Sequence, residues 1–361
     1  DIFAVTKNSG EMIIMAKTRL ALVGAGVIGR RHLKAIGEVA EAELVAISDT
    51  NAETASLARD NEVPFFLSTE DMLSTQRPNG VFVCTPTEVH LQPVLSALKS
   101  KAHVLVEKPI TASMEEAELI IRSSQENSRE VLVGHHRRYY GMIQKVRELI
   151  RGGSLGQLVG ISGLWAVRKP DAYYEPDWRK QRSSGPILIN LIHEIDLLRY
   201  LCGELVSISA KTRRGLRSHP KEETAAVLLE FVDGAVGTFL LSDVAPSPWT
   251  WEQAVGENPA FPKSAQNVYR FIGSKAALDF PNLVLWQHGD NHRDWVHEIF
   301  PEPITVEFED PYVSQCRHFC AVINGSERPR ITAVDAAKTL RATLAVFEAA
   351  DKGTEIRLCE S

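Results

Sequence analysis

The apolar positions of the chain fall into two rhythms, one over about the first 135 residues and another after about residue 150. In the first, short continuous apolar runs alternate with amphipathic stretches. RLALV (19–23) precedes a glycine-rich turn and an amphipathic stretch to Ile36. ELVAIS (43–48) precedes NAETASLARD, and VPFFL leads to STEDML, where Ser68 followed by Asp71 carries the pattern of a helix N-cap. GVFVCT (80–85) precedes HLQPVLSALKSK, HVLVE (103–107) precedes a helix opening near Ser113, and VLVGHH (131–136) closes the series. Strands apolar on both faces and separated by helices predict a doubly wound parallel sheet, covered on both sides.

After about residue 150 the strands lengthen and turn signals separate them. LVGISGLWAV, VSISAKTRRG, TAAVLLEFVDGAVGTFLLSD, NVYRFIGSKAALDF and LVLWQHG include the hairpin cues Asp233-Gly234 and Gly273-Ser274. This half predicts an α/β domain on a large, mostly antiparallel open sheet with one face covered by helices. Two helices, 311–324 and about 332–351, close the chain.

A chain of 361 residues is long for one core, so two domains are expected. With 44% hydrophobic and 24% charged residues the composition is that of a folded globular protein, and the net charge of −6 argues against nucleic-acid binding, which needs a basic face. No apolar run reaches the ~18–20 residues that span a bilayer, so no membrane partner is expected. Residues 1–18 read as an extension and start, without a signal-peptide pattern. Five scattered cysteines (84, 202, 316, 320 and 359) suit a reducing cytoplasm. Cys316 and Cys320 share one face of an amphipathic helix and read as core residues; no metal site is expected.

The chemistry begins at VGAGVIGRRH. Gly24-x-Gly26-x-x-Gly29 follows a predicted strand and opens a helix, and the next strand ends in Asp49, the context of a dinucleotide-binding fingerprint. Gly24 permits the turn, Gly26 admits the pyrophosphate with Val27 and Ile28 beside it at the helix N-terminus, and Gly29 lets helix and strand pack. Asp49 can accept hydrogen bonds from a ribose diol. A 2′-phosphate about 4 Å away would meet a like charge, at roughly 4 kcal/mol for an effective dielectric of 20. Thr50 and Asn51 offer no compensating cation, so NAD is expected over NADP. The domains then run 19–137, binding NAD on a Rossmann fold, and 138–361, for substrate and oligomerisation, with helix 332–351 able to pack back toward the first.

Two further strands end in CTPTEVH (84–90) and EKP (107–109), at the crevice where a nicotinamide lies in such sheets. Oxidising an alcohol needs a group to take the hydroxyl proton, and a partly desolvated lysine with a lowered pKa can do so. The other reading of Lys108 is a surface lysine paired with Glu107.

GAGVIGRRH, TPTEVH, HVLVEKPI and IHEIDLLRYL, in this order and spacing, resemble the Gfo/Idh/MocA family of sugar and cyclitol oxidoreductases, over nearly the whole chain from Arg19 to Leu358. The resemblance implies that Lys108 is the catalytic lysine, Glu107 a helper near the nicotinamide, Pro109 cis, and Thr85, Pro86 and His90 a cofactor-lining loop. It also raises His136 and Arg138 as site residues, and it implies a homodimer or homotetramer.

The second half of the site is expected in SSGPILINLIHEIDLLRYL (183–201), where helical spacing puts Asn190, His193 and Asp196 on one face. Relatives of the inositol dehydrogenase type carry Asp-x-x-x-His-x-x-Asp here. His193 and Asp196 match, but Ile189 stands where the first Asp would be, leaving Asn190 and His193 as the candidate catalytic partners. LWAVRKPDAYYEPDWRKQR (164–182) offers substrate candidates. Trp165 and Trp178 can stack on sugar C–H faces, and Arg168, Lys169 and Arg179 can hold anions; packing of an aromatic-rich loop explains the composition equally well. The expected activity is hydride transfer between a secondary hydroxyl of a polyol, sugar, cyclitol or sugar acid and NAD. The alternatives are reduction of a keto or carboxylated ring, and a non-catalytic NAD-binding regulator.

Overall fold

The computed structural model describes residues 2–6, 12–289 and 294–358; Cys359 lies outside them. The chain divides into two compact units, residues 1–140 with 309–340, and residues 141–308 with 341–361.

The first unit opens with an antiparallel pair, β1 (Ile2–Thr6) and β2 (Met12–Ala16), within the stretch read as an extension. The main sheet comprises β3 (Thr18–Val23), β4 (Ala42–Ser48), β5 (Phe65–Phe66), β6 (Gly80–Val83), β7 (His103–Val106) and β8 (Val131–Val133). All neighbours are parallel, in the order β5-β4-β3-β6-β7-β8. Strands β6 and β8 are buried at every position, as their uninterrupted apolar runs require. The crossovers are α1 (Val27–Glu38), α2 (Ala55–Asp60), α3 (Thr69–Gln76), α4 (Leu91–Lys99) and α5 (Met114–Asn127). Ser68 caps α3 by accepting from the Asp71 N–H, and Ser113 caps α5 from Glu116.

The second unit holds α6 (Gly141–Arg151), α7 (Ile192–Cys202), α8 (Trp251–Val255) and a ten-stranded sheet. Its strands are β9 (Leu158–Arg168), β10 (Leu205–Arg213), β11 (Thr224–Phe231), β12 (Val236–Ser242), β13 (Val244–Trp249), β14 (Tyr269–Gly273), β15 (Ala276–Phe280), β16 (Val284–His288), β17 (Ile299–Pro303) and β18 (Ile356–Arg357). The order is β17-β16-β15-β14-β9-β12-β11-β10-β18, with β13 on β9; only β9 and β12 run parallel among these pairs. Strands β11 and β12 alternate as a one-sided sheet should. Val227, Leu229, Phe231, Phe239 and Leu241 are buried, while Leu228, Val236 and Leu240 are exposed. On the covered face, the Tyr269 hydroxyl of β14 donates to Glu194 of α7.

Helix α9 (Pro311–Ile323) stands late in the sequence but belongs to the first core. Tyr312, Val313, Cys316, Phe319 and Cys320 pack with Leu20, Leu22, Leu33, Ile36 and Phe82. Gly80 makes room, since a Cβ there would stand 2.6–2.9 Å from Ile323 and Phe319. The two thiols are buried side chains of this interface. The sequence boundaries leave this segment with the second domain, because periodicity shows that a helix has an apolar face without showing which core covers it. The last helix, α10 (Ala333–Lys352), is divided between the units after Leu340.

Candidate active site

The strand order of the parallel sheet reverses between β3 and β6, and the residues that follow their carboxyl ends are Gly24 and Cys84-Thr85. Gly24 has φ +90°, and a Cβ on it would lie 2.7–2.8 Å from backbone atoms of Cys84 and Thr85. A Cβ on Gly29 would lie 2.1 Å from the Gly24 carbonyl oxygen, so this helix–strand approach requires glycine. Gly26 faces open space and is the N-cap of α1, with no side-chain cap and no acidic residue in the first turn. The turn therefore presents backbone N–H groups and the positive end of the helix dipole to an anion. Val27 is 91% exposed there, while Ile28 packs partly against the core. The Thr85 hydroxyl oxygen is buried with no hydrogen-bond partner among the described residues. An open glycine cradle, an uncapped helix and an orphaned hydroxyl together fit a dinucleotide.

Asp49 has a second task here. Its Oδ2 accepts from the Ala25 N–H (2.7 Å) and its Oδ1 from the Asn51 N–H (2.8 Å), so it braces the glycine turn. Each carboxylate oxygen keeps a further lone pair for a ribose hydroxyl.

At the end of β7 the Lys108–Pro109 peptide is cis. Lys108 is half-buried, and its backbone N–H donates to Glu107 Oε2 (3.1 Å). The Glu107 carboxylate itself turns inward. Its Oε1 lies 2.8 Å from Nε2 of the fully buried His32 on α1. Gly134, after β8, leaves room for it, since a Cβ there would stand 2.7–2.8 Å from the carboxylate. Burial works to raise the Glu107 carboxyl, but the His32 hydrogen bond and the electrostatic influence of His32, His136 and Lys108 outweigh it, holding its pKa at about 2. Glu107 is thus a buried anion directly beside Lys108. His136 stacks on Tyr312 at 4.6 Å and is buried.

His90 ties the two loops together. Its Nε2 lies 2.9 Å from the Thr85 carbonyl oxygen and its Nδ1 3.0 Å from that of Pro109. Burial depresses its pKa, against the pull of those carbonyls and of Glu107. It thus braces the loop behind Pro86, which is exposed.

In the second unit the expected single α-helix is interrupted. Residues Ile187–Leu191 form a π-helical turn before α7 begins. His193 and Asp196 keep their spacing on α7, both buried. Asn190 sits in the wider turn, where its Oδ1 accepts from Lys169 Nζ at 2.9 Å. Glu222 anchors the start of the turn by accepting from the Ile187 N–H (3.0 Å), and Gly185 gives it space. Burial raises the Glu222 carboxyl. Lys169 follows β9 and lies 5.0 Å from the Tyr173 ring centroid and 5.5 Å from that of Trp165; the Arg179 guanidinium lies 4.4 Å from Tyr173.

Four further substrate candidates have surroundings of their own. Arg138 is buried and bridges to Asp335 Oδ2 (2.5 Å) and the Arg330 carbonyl (3.2 Å), both in the first unit. Arg168 is 53% exposed and paired with Asp171 (3.5 Å). Trp165 is buried in β9, its indole N–H donating to Glu252 (3.0 Å) and its ring lying under Lys169 Nζ. Trp178 is 57% exposed, beside Arg179. His32, Gly134, Tyr173 and Glu222 were missed. Two of them had a positional cue: His32 stands three residues after Gly29, and Tyr173 lies within the aromatic stretch 164–182.

Among the described residues no helix is long and apolar enough to cross a membrane, and no group of three His, Cys, Asp or Glu could hold a metal ion. Residues 18–135 match the model of an oxidoreductase family with an NAD-binding Rossmann fold, and residues 143–279 match the GFO/IDH/MocA C-terminal domain. Myo-inositol 2-dehydrogenase of Thermotoga maritima is 21% identical over 358 residues, covering 95% of this chain and 99% of that protein. Inositol 2-dehydrogenase of Rhizobium meliloti is 28% identical over 320 residues, 84% of this chain and 88% of that one. The match to the oxidoreductase YrbE of Bacillus subtilis, 28% identical, covers 60% of this chain and 64% of that protein's length. Among solved structures, the WlbA dehydrogenase of Bordetella pertussis, in complex with NADH and UDP-GlcNAcA, superposes with a TM-score of 0.76 at 22% identity, over 96% of this chain and 100% of that one. With both of its halves matched by the family's domain models, the chain belongs to the Gfo/Idh/MocA oxidoreductase family.

Proposed function

We propose that the protein is an NAD-dependent dehydrogenase acting on a secondary hydroxyl of a sugar, cyclitol or sugar acid, with Lys108 and His193 handling the proton. The observation that carries this reading is Lys108 itself. It leaves the carboxyl end of β7, one strand from the reversal of strand order, half-buried in front of an ionised, fully bonded Glu107. A bound nicotinamide would supply the hydride acceptor; the chain supplies the base, its orientation and the electrostatics behind it. The activities named for the two inositol dehydrogenases support a polyol substrate. Asn190 cannot exchange a proton at neutral pH, so it serves as a hydrogen-bonding residue beside Lys169.

Asp49 supports NAD over NADP, because a 2′-phosphate would meet a carboxylate already holding the glycine turn. The exposed apolar row of Leu228, Val236 and Leu240 supports a homo-oligomer formed through the open face of the large sheet.

The test is Lys108→Ala, assayed by NADH formation across a polyol and sugar-acid panel and by NADH binding. Turnover should fall by roughly 10²–10⁴ with cofactor affinity nearly unchanged. Undiminished turnover would remove Lys108 from the chemistry, and tight NAD binding with no turnover of any polyol by the unaltered protein would favour a regulator.

A further inference from the structure

Several cations of the second unit are held in ion pairs. Arg168, Lys180, Arg182, Arg199, Arg217 and Lys221 each have a carboxylate within ion-pair distance. Arg179 has none among the described residues. Its Nη1 donates to the Tyr173 carbonyl (3.0 Å), its guanidinium lies over Tyr173 (4.4 Å) and near Trp178 (5.1 Å), and its Nε is buried without a hydrogen-bond partner. A guanidinium has five N–H donors in a planar fork shaped for a carboxylate or phosphate.

A second cation shares the same ring. Lys169 Nζ lies 5.0 Å from the Tyr173 centroid and is held by Asn190 Oδ1 at 2.9 Å. Asn190 contributes an uncharged oxygen, and this contact orients the ammonium. Three residues further along the same helical segment is His193. The rings of Tyr173 and Trp165 fix the ammonium on its apolar side. Two positive groups around one tyrosine, one of them lacking a counter-charge among the described residues, form a site for an anion.

We infer that the substrate carries an anionic group, a carboxylate or a phosphate, bound between Lys169 and Arg179 against Tyr173. This rests on the dehydrogenase reading above and narrows its substrate class from polyols at large to acidic or phosphorylated sugars. Asn190 then has a defined task, to aim Lys169 at the anion, and the replacement of an expected carboxylate near this position becomes part of anion selectivity.

Two measurements test this separately. First, inorganic phosphate and malonate are titrated into the NADH-loaded protein and into its Arg179→Gln and Lys169→Gln variants, by calorimetry and by the fluorescence of the tryptophans. Saturable binding, weakened at least tenfold in each variant and retained in part by Arg179→Lys, supports the site. Binding absent, or unaltered by both substitutions, overturns it, whatever the enzyme's activity. Second, kcat/KM is compared for matched neutral, carboxylated and phosphorylated sugars. The wild type should favour one charged form at least tenfold, which also distinguishes carboxylate from phosphate, and Arg179→Gln should erase the preference. Equal turnover of neutral and charged forms overturns the inference and leaves the dehydrogenase reading intact. Anion binding without turnover of any sugar sinks that reading and leaves the anion site standing.

Discussion

His32 and Glu107 form a buried pair, Nε2 to Oε1 at 2.8 Å, that joins the first helix of the nucleotide fold to the strand end carrying Lys108. The pair places an ionised carboxylate where burial alone would keep it neutral. The hydrogen bond to His32 and the electrostatic influence of His32, His136 and Lys108 offset the cost of burial, with Cys84 and His90 also within the field of the carboxylate.

This arrangement makes stability pH-dependent in a stated direction. The folded-state pKa of Glu107, about 2, is depressed from an ordinary 4.5. The stabilisation is therefore fully present above about pH 4.5 and is lost as the pH falls toward 2. Glu107→Gln should be less stable than the wild type at pH 7 and lose less stability between pH 5 and pH 2.5. Urea denaturation at those three pH values measures both; parallel pH dependences in the two proteins would show that Glu107 is not the group concerned.

Gly134 is the space in which that carboxylate sits. An added methyl would lie 2.7–2.8 Å from a group that His32 holds in place. Gly134→Ala should cost about 1–3 kcal/mol, as overpacking does, and should lower turnover through displacement of Lys108. A denaturation midpoint equal to that of the wild type would mean that the pair can shift without cost.

Asp49 predicts an outcome unlike a simple cofactor switch. Because Oδ2 accepts from the Ala25 N–H, Asp49→Ala removes a brace of the glycine turn as well as a ribose acceptor. NADH affinity should fall at least tenfold, the scale of a charge-assisted hydrogen bond, with no matching gain for NADPH. Fluorescence titration with both cofactors decides it, and a variant that simply exchanges one preference for the other would contradict the bracing role.

The open sheet face yields a prediction about assembly. Leu228 on β11 and Leu240 on β12 are about half exposed on the same side of the sheet. Leu228→Lys with Leu240→Lys should shift the protein to a smaller species in light scattering while leaving its circular dichroism unchanged. An unchanged mass would move the interface elsewhere.

The sequence was most legible where local chemistry dictates backbone shape. Gly24 and Gly29 stand where a Cβ would collide with the backbone, Ser68 and Ser113 cap helices from their own first turns, and Asp233-Gly234 turns between β11 and β12. Legibility failed where a side chain's partner is remote. Arg138 reads like a site residue beside His136, but its carboxylate is Asp335, 197 residues away. The π turn at Ile187–Leu191 was equally hidden, since hydrophobic spacing over five residues does not separate one hydrogen-bond register from the next.

The position of α9 has a consequence for how the chain matures. The first core is incomplete until Tyr312, Cys316 and Phe319 are available to cover Leu22, Leu33 and Phe82. On a ribosome, the nucleotide-binding half would therefore emerge first yet wait, with apolar surface uncovered, while nearly the whole large sheet is synthesised. A fragment ending at Tyr140 would retain that uncovered surface permanently. Release of the newly made protein from chaperones should then follow the emergence of residues near 340, so the half that is synthesised first completes its core only near the end of translation.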